Sequence, residues 1–379
     1  MKIVLIGPVY PYKGGIAHYT SLLCKALRKK HEVTMISYKM QYPKLLFKKE
    51  QKDFSNDFFK VEDTNYLIHT ANPFNIIGVS HKINSIHPDA VIIQWWHPYF
   101  SPCYRILVNH LKKDIKVIYT CHNVFPHERF PMDRFLTKLV LKKGDGFIVH
   151  SLSDEKDLLS IKSDVNKCFN PIPSFNAFRI KNTPINEARR EIVEKDGFDI
   201  KENTPLLLFF GFVREYKGLK HLLNSMPLII EKMGNCKLLV VGSFGDDKQD
   251  YLDMIEKNGV SASVFLKDTY TPDDEVEKYF AAADIVVLPY EDATQSGIVQ
   301  IAYGFEKPVL VTNVGGLPDV VTNDKTGYVV EPKNPEAIYK AVLDYFSNNR
   351  FEEFNEEIKK EAFRFSWEHM TESIDSLFV

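Results

Sequence analysis

Short apolar runs alternate with longer amphipathic segments along the whole chain. The runs are rich in Val, Ile and Leu, which is typical of buried strands in a parallel sheet. The predicted strands are Lys2–Gly7, Val33–Ser37, Asp89–Gln94, Ile115–Thr120, Gly146–His150, Leu206–Phe210, Leu238–Gly242, Ser263–Leu266, Ile285–Leu288 and Pro308–Val311. Between them apolar residues recur at helical spacing, as at Ile16, Tyr19, Leu23 and Leu27. The pattern predicts an α/β fold whose ligands bind beyond the carboxyl ends of the strands.

The length predicts two domains, because 379 residues exceed what one ordinary core contains. Gly146–His150 is predicted to be the last strand of the first domain. The proline-containing, polar stretch from Asn170 to Pro205 is predicted to be a linker, with one helix at Glu187–Glu194 inside it.

Composition indicates a soluble, globular protein without a membrane span, since no apolar run is long enough. The opening MKIVLIG is followed at once by Pro8 and polar residues, which favours a first strand over a signal peptide. The five cysteines are scattered without a Cys-x-x-Cys pair, which suits a reducing cytoplasm and argues against a zinc site.

Charge is distributed unevenly although the net charge is only −2. Residues 1–180 hold 26 Lys and Arg against 15 Asp and Glu, which gives +11. The remaining residues hold 22 against 35, which gives −13. Halves of opposite sign suggest a different partner for each.

The stretch from Asp284 to Asp319 contains two predicted strand–turn–helix junctions. Ser296-Gly297 starts a helix after the first strand, and Gly315-Gly316 forms the turn after the second. Two helix N-termini with small residues there are typical of an anion site. The alternative is a pair of ordinary turns in a Rossmann-like domain.

Two other turns carry the same kind of signal. Gly14-Gly15 precedes the first amphipathic helix, where glycine lets a ligand approach the backbone amides closely. Gly7 stands seven residues before Gly14, which is not the spacing of a dinucleotide fingerprint, so a nicotinamide dehydrogenase is disfavoured. Arg214 and Lys217 stand before a helix beginning at Leu219, an arrangement that favours a diphosphate clamp. A plain turn and a solvated charge pair are the alternatives.

Three residues at one strand end, and one at the next, are candidates for sugar contacts. Trp95, Trp96 and His97 follow a predicted strand, where aromatic rings can stack on a sugar, although core packing is the commoner role of Trp. His122 follows the strand Ile115–Thr120 and is expected to point toward the ligand, with a structural role as the alternative.

Basic and aromatic residues interleave between Met40 and Phe59. The segment predicts either a solvated loop or a peripheral membrane patch. Its members are Lys44, Phe47, Lys48, Lys49, Lys52, Phe54, Phe58 and Phe59.

Taken together, six stretches resemble the retaining glycosyltransferases of the GT-B type in the bacterial group 1, family 4-like, set. They are PYKGGIAHYT, CHNVFPHE, FFGFVREYKGL, ADIVVLPY, ATQSGIVQIAYGFEKPVLVTNVGGLPD and TGYVVEP. The resemblance implies two Rossmann-like domains facing each other across a cleft. Residues 1–175 would form the acceptor domain and 176–361 the nucleotide-sugar donor domain. A closing helix at about 362–379 would pack back on the first.

The resemblance also implies residue roles. Arg214 and Lys217 would hold the donor diphosphate, and His122 would touch the donor sugar or polarise the reaction centre. The glycine pair would approach the phosphates and the reacting sugar, and the turn after Thr294 would offer amides to both. The implied donor-binding residues are Gly14, Gly15, Arg214, Lys217, Gln295, Ser296, Gly297 and Ile298.

One departure from the family pattern concerns two glutamates that many members carry eight residues apart. Counted from Lys307-Pro308 these positions are Ala293 and Ile301, and counted from Gly297 they are Thr294 and Ala302. Neither frame supplies a carboxylate. The ribose and donor sugar must then find other partners among Glu291, Asp292, Gln295, Ser296 and Gln300.

The sequence is therefore interpreted as a hexosyltransferase-type enzyme that moves a sugar from a nucleoside diphosphate to a hydroxyl of a glycan or lipid-linked acceptor with retention. The chain has no Asp-x-Asp pair, so neither a metal nor another cofactor is expected. A nucleotide-sugar epimerase and a non-catalytic nucleotide-sugar-binding protein are the alternatives. A cytoplasmic location is expected, with possible peripheral contact to an anionic membrane and no nucleic-acid partner.

Overall fold

A computed structural model describes residues 1–47, 50–54, 57–126 and 130–378. The chain divides into two compact units, the first formed by Met1–Pro171 with Ser366–Val379 and the second by Ile172–Phe365. The expected boundaries, after residues 175 and 361, each lie four residues from these divisions.

The first unit is built on a parallel sheet of seven strands in the order β3-β2-β1-β4-β5-β6-β7. The strands are β1 (Lys2–Ile6), β2 (Glu32–Met40), β3 (Asn65–His69), β4 (Ala90–Trp95), β5 (Lys116–Cys121), β6 (Gly146–Val149) and β7 (Lys167–Phe169). Its helices before residue 172 are α1 (Gly15–Leu27), α2 (Pro73–Ile86), α3 (Ser101–Asn109), α4 (Asp133–Leu141) and α5 (Leu152–Ile161). The prediction that Gly146–His150 is the last strand is wrong, because β7 follows it and pairs with β6.

The register of this sheet places three polar side chains at neighbouring strand ends. Gln94 of β4 pairs with Thr120 of β5, two residues before His122. Val149, the last residue of β6, pairs with Cys121 and precedes His150. Since the strands are parallel, Gln94, His122 and His150 all lie at the carboxyl edge.

The second unit is built on a parallel sheet of six strands in the order β10-β9-β8-β11-β12-β13. The strands are β8 (Leu206–Phe210), β9 (Lys237–Val241), β10 (Val264–Lys267), β11 (Ile285–Leu288), β12 (Val309–Thr312) and β13 (Gly327–Val330). The helices are α6 (Ile185–Asp196), α7 (Leu219–Met233), α8 (Lys248–Lys257), α9 (Val276–Ala282), α10 (Gly297–Gly304), α11 (Leu317–Val320), α12 (Pro335–Ser347) and α13 (Phe351–Lys360).

The predicted linker from Asn170 to Pro205 is wrong over most of its length. Its backbone is fixed to the second unit by the Glu277 carboxylate, which accepts hydrogen bonds from the amides of Ile180, Lys181 and Thr183 at 2.7–2.8 Å. Polar sequence suggested a loose segment, but buried carboxylate–amide bonds hold it in place.

The closing helix α14 (Trp367–Ser376) belongs to the first unit and packs on α1. The Trp367 ring lies 5.2 Å from the Tyr19 ring between centroids, and the Ser373 hydroxyl donates to Asn170 Oδ1 at 2.9 Å. Within the described residues, no helix has both the length and the apolar character that crossing a bilayer requires.

Candidate active site

Arg214 and Lys217 lie in the loop that joins β8 to α7. This loop ends at Gly218, which adopts φ +65° at the N-cap of α7. A Cβ atom built on Gly218 would stand 1.9 Å from the carbonyl oxygen of Pro289, so no larger residue fits. The close approach fixes the loop against the carboxyl end of β11.

The Lys217 ammonium lies beside the first turn of α10. A methyl group built on Gly211 would meet Lys217 Nζ at 3.1 Å and Ile298 Cδ1 at 3.6 Å, so all three share one small space. Tyr290 connects the two elements: Lys217 Nζ lies 5.6 Å from its ring centroid, and its hydroxyl lies 3.5 Å from Ser296 Oγ. The predicted clamp and the predicted helix N-terminus are therefore parts of one site.

The two cations of this site carry no carboxylate counterion among the described residues. Arg214 Nη1 donates to the backbone carbonyl of Val213, at 3.3 Å. Burial lowers the pKa of Lys217, and the neighbouring Arg214 charge acts in the same direction. Two adjacent cations without carboxylates form a site that favours an anion.

Glu291 is the acidic centre of a separate ion-pair network next to the clamp. Its carboxylate accepts from Lys220 at 2.9 Å, His221 at 2.8 Å and Lys333 at 2.9 Å. Burial opposes its ionisation, but hydrogen bonds from these three groups outweigh burial and lower the pKa of Glu291 to about 2. Its backbone amide also donates to the Tyr216 carbonyl at 2.6 Å. Glu291 thus links the clamp loop, the β8–α7 connection that carries Arg214 and Lys217, to the end of β11.

The turn before α10 packs against the glycine turn that follows β12. A Cβ on Gly315 (φ +51°) would stand 1.4 Å from the Ala293 carbonyl oxygen, and Gly316 N donates to the Thr294 carbonyl at 2.9 Å. Ser296 caps α10, its hydroxyl accepting from Ile298 N at 3.3 Å. Gln295 and Gly297 are half-buried beside it.

The two positions where many family members carry glutamates are apolar and buried here when they are counted from Lys307-Pro308. Ala293 is 5% and Ile301 8% exposed. In the other frame Ala302 is fully buried and Thr294 half-buried. Glu291, one of the residues expected to replace the absent glutamates, already binds three basic side chains, Lys220, His221 and Lys333.

His122 lies in a buried cluster of the first unit. Its Nε2 lies 2.8 Å from Gln94 Oε1, and its ring meets the Tyr19 ring edge-on at 4.6 Å between centroids. Burial, reinforced by the neighbouring His150, lowers the pKa of His122 well below its usual range. The imidazole is therefore neutral at pH 7 and serves as a hydrogen-bonding group.

His150 belongs to this cluster and was not singled out from the sequence. Its ring centroid lies 5.5 Å from that of His122, and its Nδ1 lies 2.6 Å from the Asn170 carbonyl oxygen. Burial lowers the pKa of His150 to about 4, although the bond to Asn170 acts the other way. The available signal was its place directly after a predicted strand, which it shares with His122.

Gly14 and Gly15 lie at the N-terminus of α1, where both are exposed. Gly14 is the N-cap and no side chain caps this end. A Cβ on either glycine would meet no atom within 4 Å, so the space in front of the helix end is open.

The predicted acceptor role of Trp95 is wrong, because this residue is fully buried and its indole N–H donates to the Val124 carbonyl at 3.2 Å. Trp96 and His97 are half-buried. The Trp96 indole N–H donates to the Tyr42 hydroxyl at 3.1 Å, and His97 Nδ1 accepts from Tyr99 N at 3.0 Å. Trp96 and His97 therefore remain predicted acceptor-binding residues.

The basic segment combines cations with exposed apolar side chains. Leu45, Leu46 and Phe47 are 88%, 65% and 41% exposed, whereas Phe59 is buried. Lys52 forms an isolated bridge to Tyr12. Lys48 and Lys49 lie outside the described residues.

Clusters of potential metal ligands are the last feature of the described ranges, 1–47, 50–54, 57–126 and 130–378. There, no group of three or more His, Cys, Asp and Glu side chains is arranged to hold a metal ion.

Two family models match the chain. The model "Glycosyl transferases group 1" matches residues 191–365, and "Glycosyltransferase Family 4" matches residues 13–168. The first model covers the second unit from residue 191 to its end, and the second model covers most of the first unit.

Curated relatives match over part of their length. An uncharacterized glycosyltransferase of Methanocaldococcus jannaschii is 30% identical over 184 residues, covering 47% of this chain and 46% of that protein. The capsular polysaccharide biosynthesis glycosyltransferase CapM of Staphylococcus aureus is 26% identical over 210 residues, covering 54% and 51%. The chain thus spans about half the length of the curated relatives it matches.

The crystal structure of Anabaena HepE in complex with UDP matches with a TM-score of 0.74 at 14% identity, covering 100% of this chain and 99% of that chain. This similarity confirms the predicted GT-B fold class. With both units matched by their family models, the chain belongs to the group 1, family 4-like, glycosyltransferases.

Proposed function

We propose that the protein is a hexosyltransferase-type glycosyltransferase. It would move a sugar from a nucleoside diphosphate to a hydroxyl of a glycan or lipid-linked acceptor, with retention of configuration and without a metal ion. The relation to a capsular polysaccharide glycosyltransferase supports the glycan pathway, and the fold shared with a UDP-bound protein supports the nucleotide donor.

The observation that carries this proposal is the pair of cations Arg214 and Lys217 beside the N-terminus of α10, which have no carboxylate partner within the part of the chain that the structure describes. A diphosphate bound there receives charge-assisted hydrogen bonds from both side chains, together with the favourable end of the helix dipole. It would also relieve the mutual repulsion of the two cations.

The same groups would stabilise the departing nucleotide. As the bond between the anomeric carbon and the β-phosphate oxygen breaks, negative charge would grow on the phosphate, and Arg214 and Lys217 would stabilise it. The acceptor hydroxyl forms the new bond from the same face, and its proton passes to the leaving phosphate oxygen. Neutral His122 would hold a sugar hydroxyl and would not act as an acid.

The donor is tested by thermal stabilisation with a panel of nucleoside diphosphates and nucleoside diphosphate sugars, followed by calorimetry of the best ligand. Arg214→Ala and Lys217→Ala should each weaken binding by about 1.5–3 kcal/mol, because each removes a charge-assisted bond. Lys257→Ala, an exposed lysine of the same unit, is the matched control. Full affinity in both clamp variants would contradict the proposal.

Retention and metal independence need separate measurements. Proton NMR of the first-formed product reports its anomeric configuration, and inversion would contradict the proposed same-face attack. Transfer should continue in excess EDTA. Activity that disappears with chelator and returns with Mg²⁺ or Mn²⁺ would show that a metal takes part.

A non-catalytic nucleotide-sugar-binding protein is the second candidate, favoured by the buried Ala293 and Ile301 where many family members carry glutamates. It shares the donor site and predicts the same binding results. Binding without any donor hydrolysis or transfer, across a range of acceptors, would favour this candidate.

We also propose that the protein is cytoplasmic and contacts an anionic membrane surface through its basic segment. Lys44 and Lys52 flank the exposed Leu45, Leu46 and Phe47. Each Lys near such a surface contributes roughly 1 kcal/mol, and exposed apolar side chains gain by entering the headgroup region. Such docking would present the site to a lipid-linked acceptor.

A further inference from the structure

A cavity of about 400 Å³ lies in the second unit, at the C-terminal end of α10. Arg214 and Lys217 are beside the opposite end of this helix, which has 8 residues and is therefore about 11 Å long. All residues that line the cavity fall between 172 and 365. Its volume is in the range of small-molecule sites, and it is separate from the clamp.

The cavity combines buried apolar side chains with a polar rim. Tyr303, Ile358 and Phe365 are 6%, 4% and 3% exposed, and the rings of Tyr303 and Phe365 lie 5.3 Å apart between centroids. An apolar wall with hydrogen-bonding groups around it suits a sugar, which has apolar C–H faces and hydroxyl edges. The polar lining residues, all half-buried or exposed, are Ser174, Asn176, Arg179, Asn182, Glu306 and Lys359.

The charges of the rim are already balanced, which argues against a charged ligand. Arg179 Nη1 lies 3.2 Å from Glu306 Oε1, and Lys359 Nζ lies 3.0 Å from Glu356 Oε1. Each cation is thus paired with a carboxylate. The rim offers both donors and acceptors of hydrogen bonds, as recognition of hydroxyl groups requires.

Two helix ends at the cavity also disfavour an anion. Gly304 is the last residue of α10, and Ile358 and Lys359 lie in the last turn of α13. The C-terminal end of a helix carries a partial negative charge. In addition, Pro308, four residues after Gly304, has no N–H to donate to the Gly304 carbonyl. The backbone here therefore adds acceptors, which sugar hydroxyls can satisfy.

Glu306 occupies a backbone position that favours glycine. Its φ is +57°, in the left-handed region where a side chain is disfavoured. The pair with Arg179 offsets this only weakly, because both side chains are 36% exposed and water screens such pairs. Its carbonyl accepts from Asn355 Nδ2 at 2.8 Å, which a glycine carbonyl would also do. A ligand contact accounts for the carboxylate better than these protein contacts do.

We propose that this cavity binds a neutral sugar unit of a glycan, with its hydroxyls held by the Arg179–Glu306 pair and its C–H face against Tyr303 and Phe365. The proposal goes beyond the proposed function, because it assigns a second carbohydrate site that takes no part in transfer. Binding there is a property of the free protein and needs no donor.

The first test is saturation-transfer difference NMR of the full chain with four neutral disaccharides: maltose, cellobiose, lactose and N,N′-diacetylchitobiose. At least one should bind, and it should still bind to the Arg214→Ala/Lys217→Ala double variant. Inorganic phosphate at the same concentration should not displace it. Absence of binding by all four, loss of binding in the double variant, or displacement by phosphate would each overturn the proposal.

Glu306→Gly separates a ligand contact from a structural role, since glycine removes the carboxylate and fits the backbone conformation. Affinity for the bound disaccharide should fall about tenfold, the effect of one hydrogen bond to a charged group, while the melting temperature stays equal or rises. Asn349→Gly is the matched control: it is exposed, lies in the same unit and has φ +49°. It should leave disaccharide affinity unchanged.

Unchanged disaccharide affinity in Glu306→Gly, or a melting temperature that falls together with the affinity, would overturn the proposal. Arg179→Gln is the second variant and should also weaken the disaccharide, because it removes the guanidinium donors; full affinity there would equally overturn it. Nucleoside diphosphate affinity should be the same in the wild type and in both variants. Failure of the donor site and failure of the sugar cavity are therefore distinguishable.

Discussion

Replacing Glu291 by glutamine tests whether this residue ties the clamp loop to β11 or binds the ligand. In the folded protein its carboxylate is held by Lys220, His221 and Lys333. Glutamine keeps the shape and removes the charge on which all three bonds depend.

The magnitude follows from the pKa of Glu291, which falls from its ordinary 4.5 to about 2. A shift of this size corresponds to roughly 3 kcal/mol of stability at neutral pH. That value is an upper limit because Lys333 is 64% exposed and water screens exposed pairs. We therefore expect Glu291→Gln to lower the free energy of unfolding by about 1–2 kcal/mol at pH 7.

The pH dependence has a definite sign. Because the pKa is lowered on folding, the contribution of Glu291 is complete above its ordinary pKa of 4.5 and is lost as the pH falls toward 2. Urea unfolding of wild type and variant at pH 7, 5 and 4 should give a difference that is constant between 7 and 5 and smaller at 4. Glu336→Gln, which removes an exposed pair with Lys340, is the control and should leave the unfolding midpoint unchanged.

Nucleoside diphosphate affinity of the same variant separates the two roles. A loosened clamp loop predicts a loss of both stability and affinity. Unchanged stability with a large loss of affinity would refute the reasoning and indicate that Glu291 contacts the ribose or sugar directly.

Three further predictions follow from the same site and surface. Because burial lowers the pKa of Lys217, nucleoside diphosphate affinity measured by calorimetry should fall as the pH rises from neutral toward 10, and Lys217→Arg should flatten this dependence because a guanidinium stays charged; equal slopes would contradict it. His122→Ala should lower kcat more than donor affinity, whereas a fall in melting temperature alone would show a structural role. The wild type should co-sediment with anionic but not neutral vesicles and be released by salt, and equal binding to both would contradict electrostatic docking. Docking should be lost when four lysines are changed together to Glu, namely Lys44, Lys48, Lys49 and Lys52.

The strands could be predicted wherever an apolar run is buried on both faces, as in β8 and β11. The three missed strands lack that signal: β3 is half-exposed with Tyr66 facing solvent, β7 has only three residues, and β13 is only half-buried at Val329 and Val330. Their pairing comes from neighbouring strands and not from their own composition.

The candidate site was predicted in its parts but not in its connections. The types and turn positions of Arg214 and Lys217 were visible in the sequence, because helix N-termini carry local signals. The partners of Glu291 were not, since Lys333 is distant in sequence and meets it only through the sheet order. For the same reason Gln94 and His150 could not be grouped with His122: adjacency of strand ends depends on topology.

Because α14 belongs to the first unit, that unit is formed by two separate segments of the chain, whereas the second unit is formed by one. Residues 172–365 are one uninterrupted segment that contains Arg214, Lys217 and α10, so the second unit can be expressed as a single module. The first unit cannot be cut out in one piece, because its segment 1–171 lacks Trp367, which covers Tyr19. A domain exchange between family members should therefore replace 172–365 as an insert, leaving both ends of the host chain to form the first unit with its buried cluster around His122.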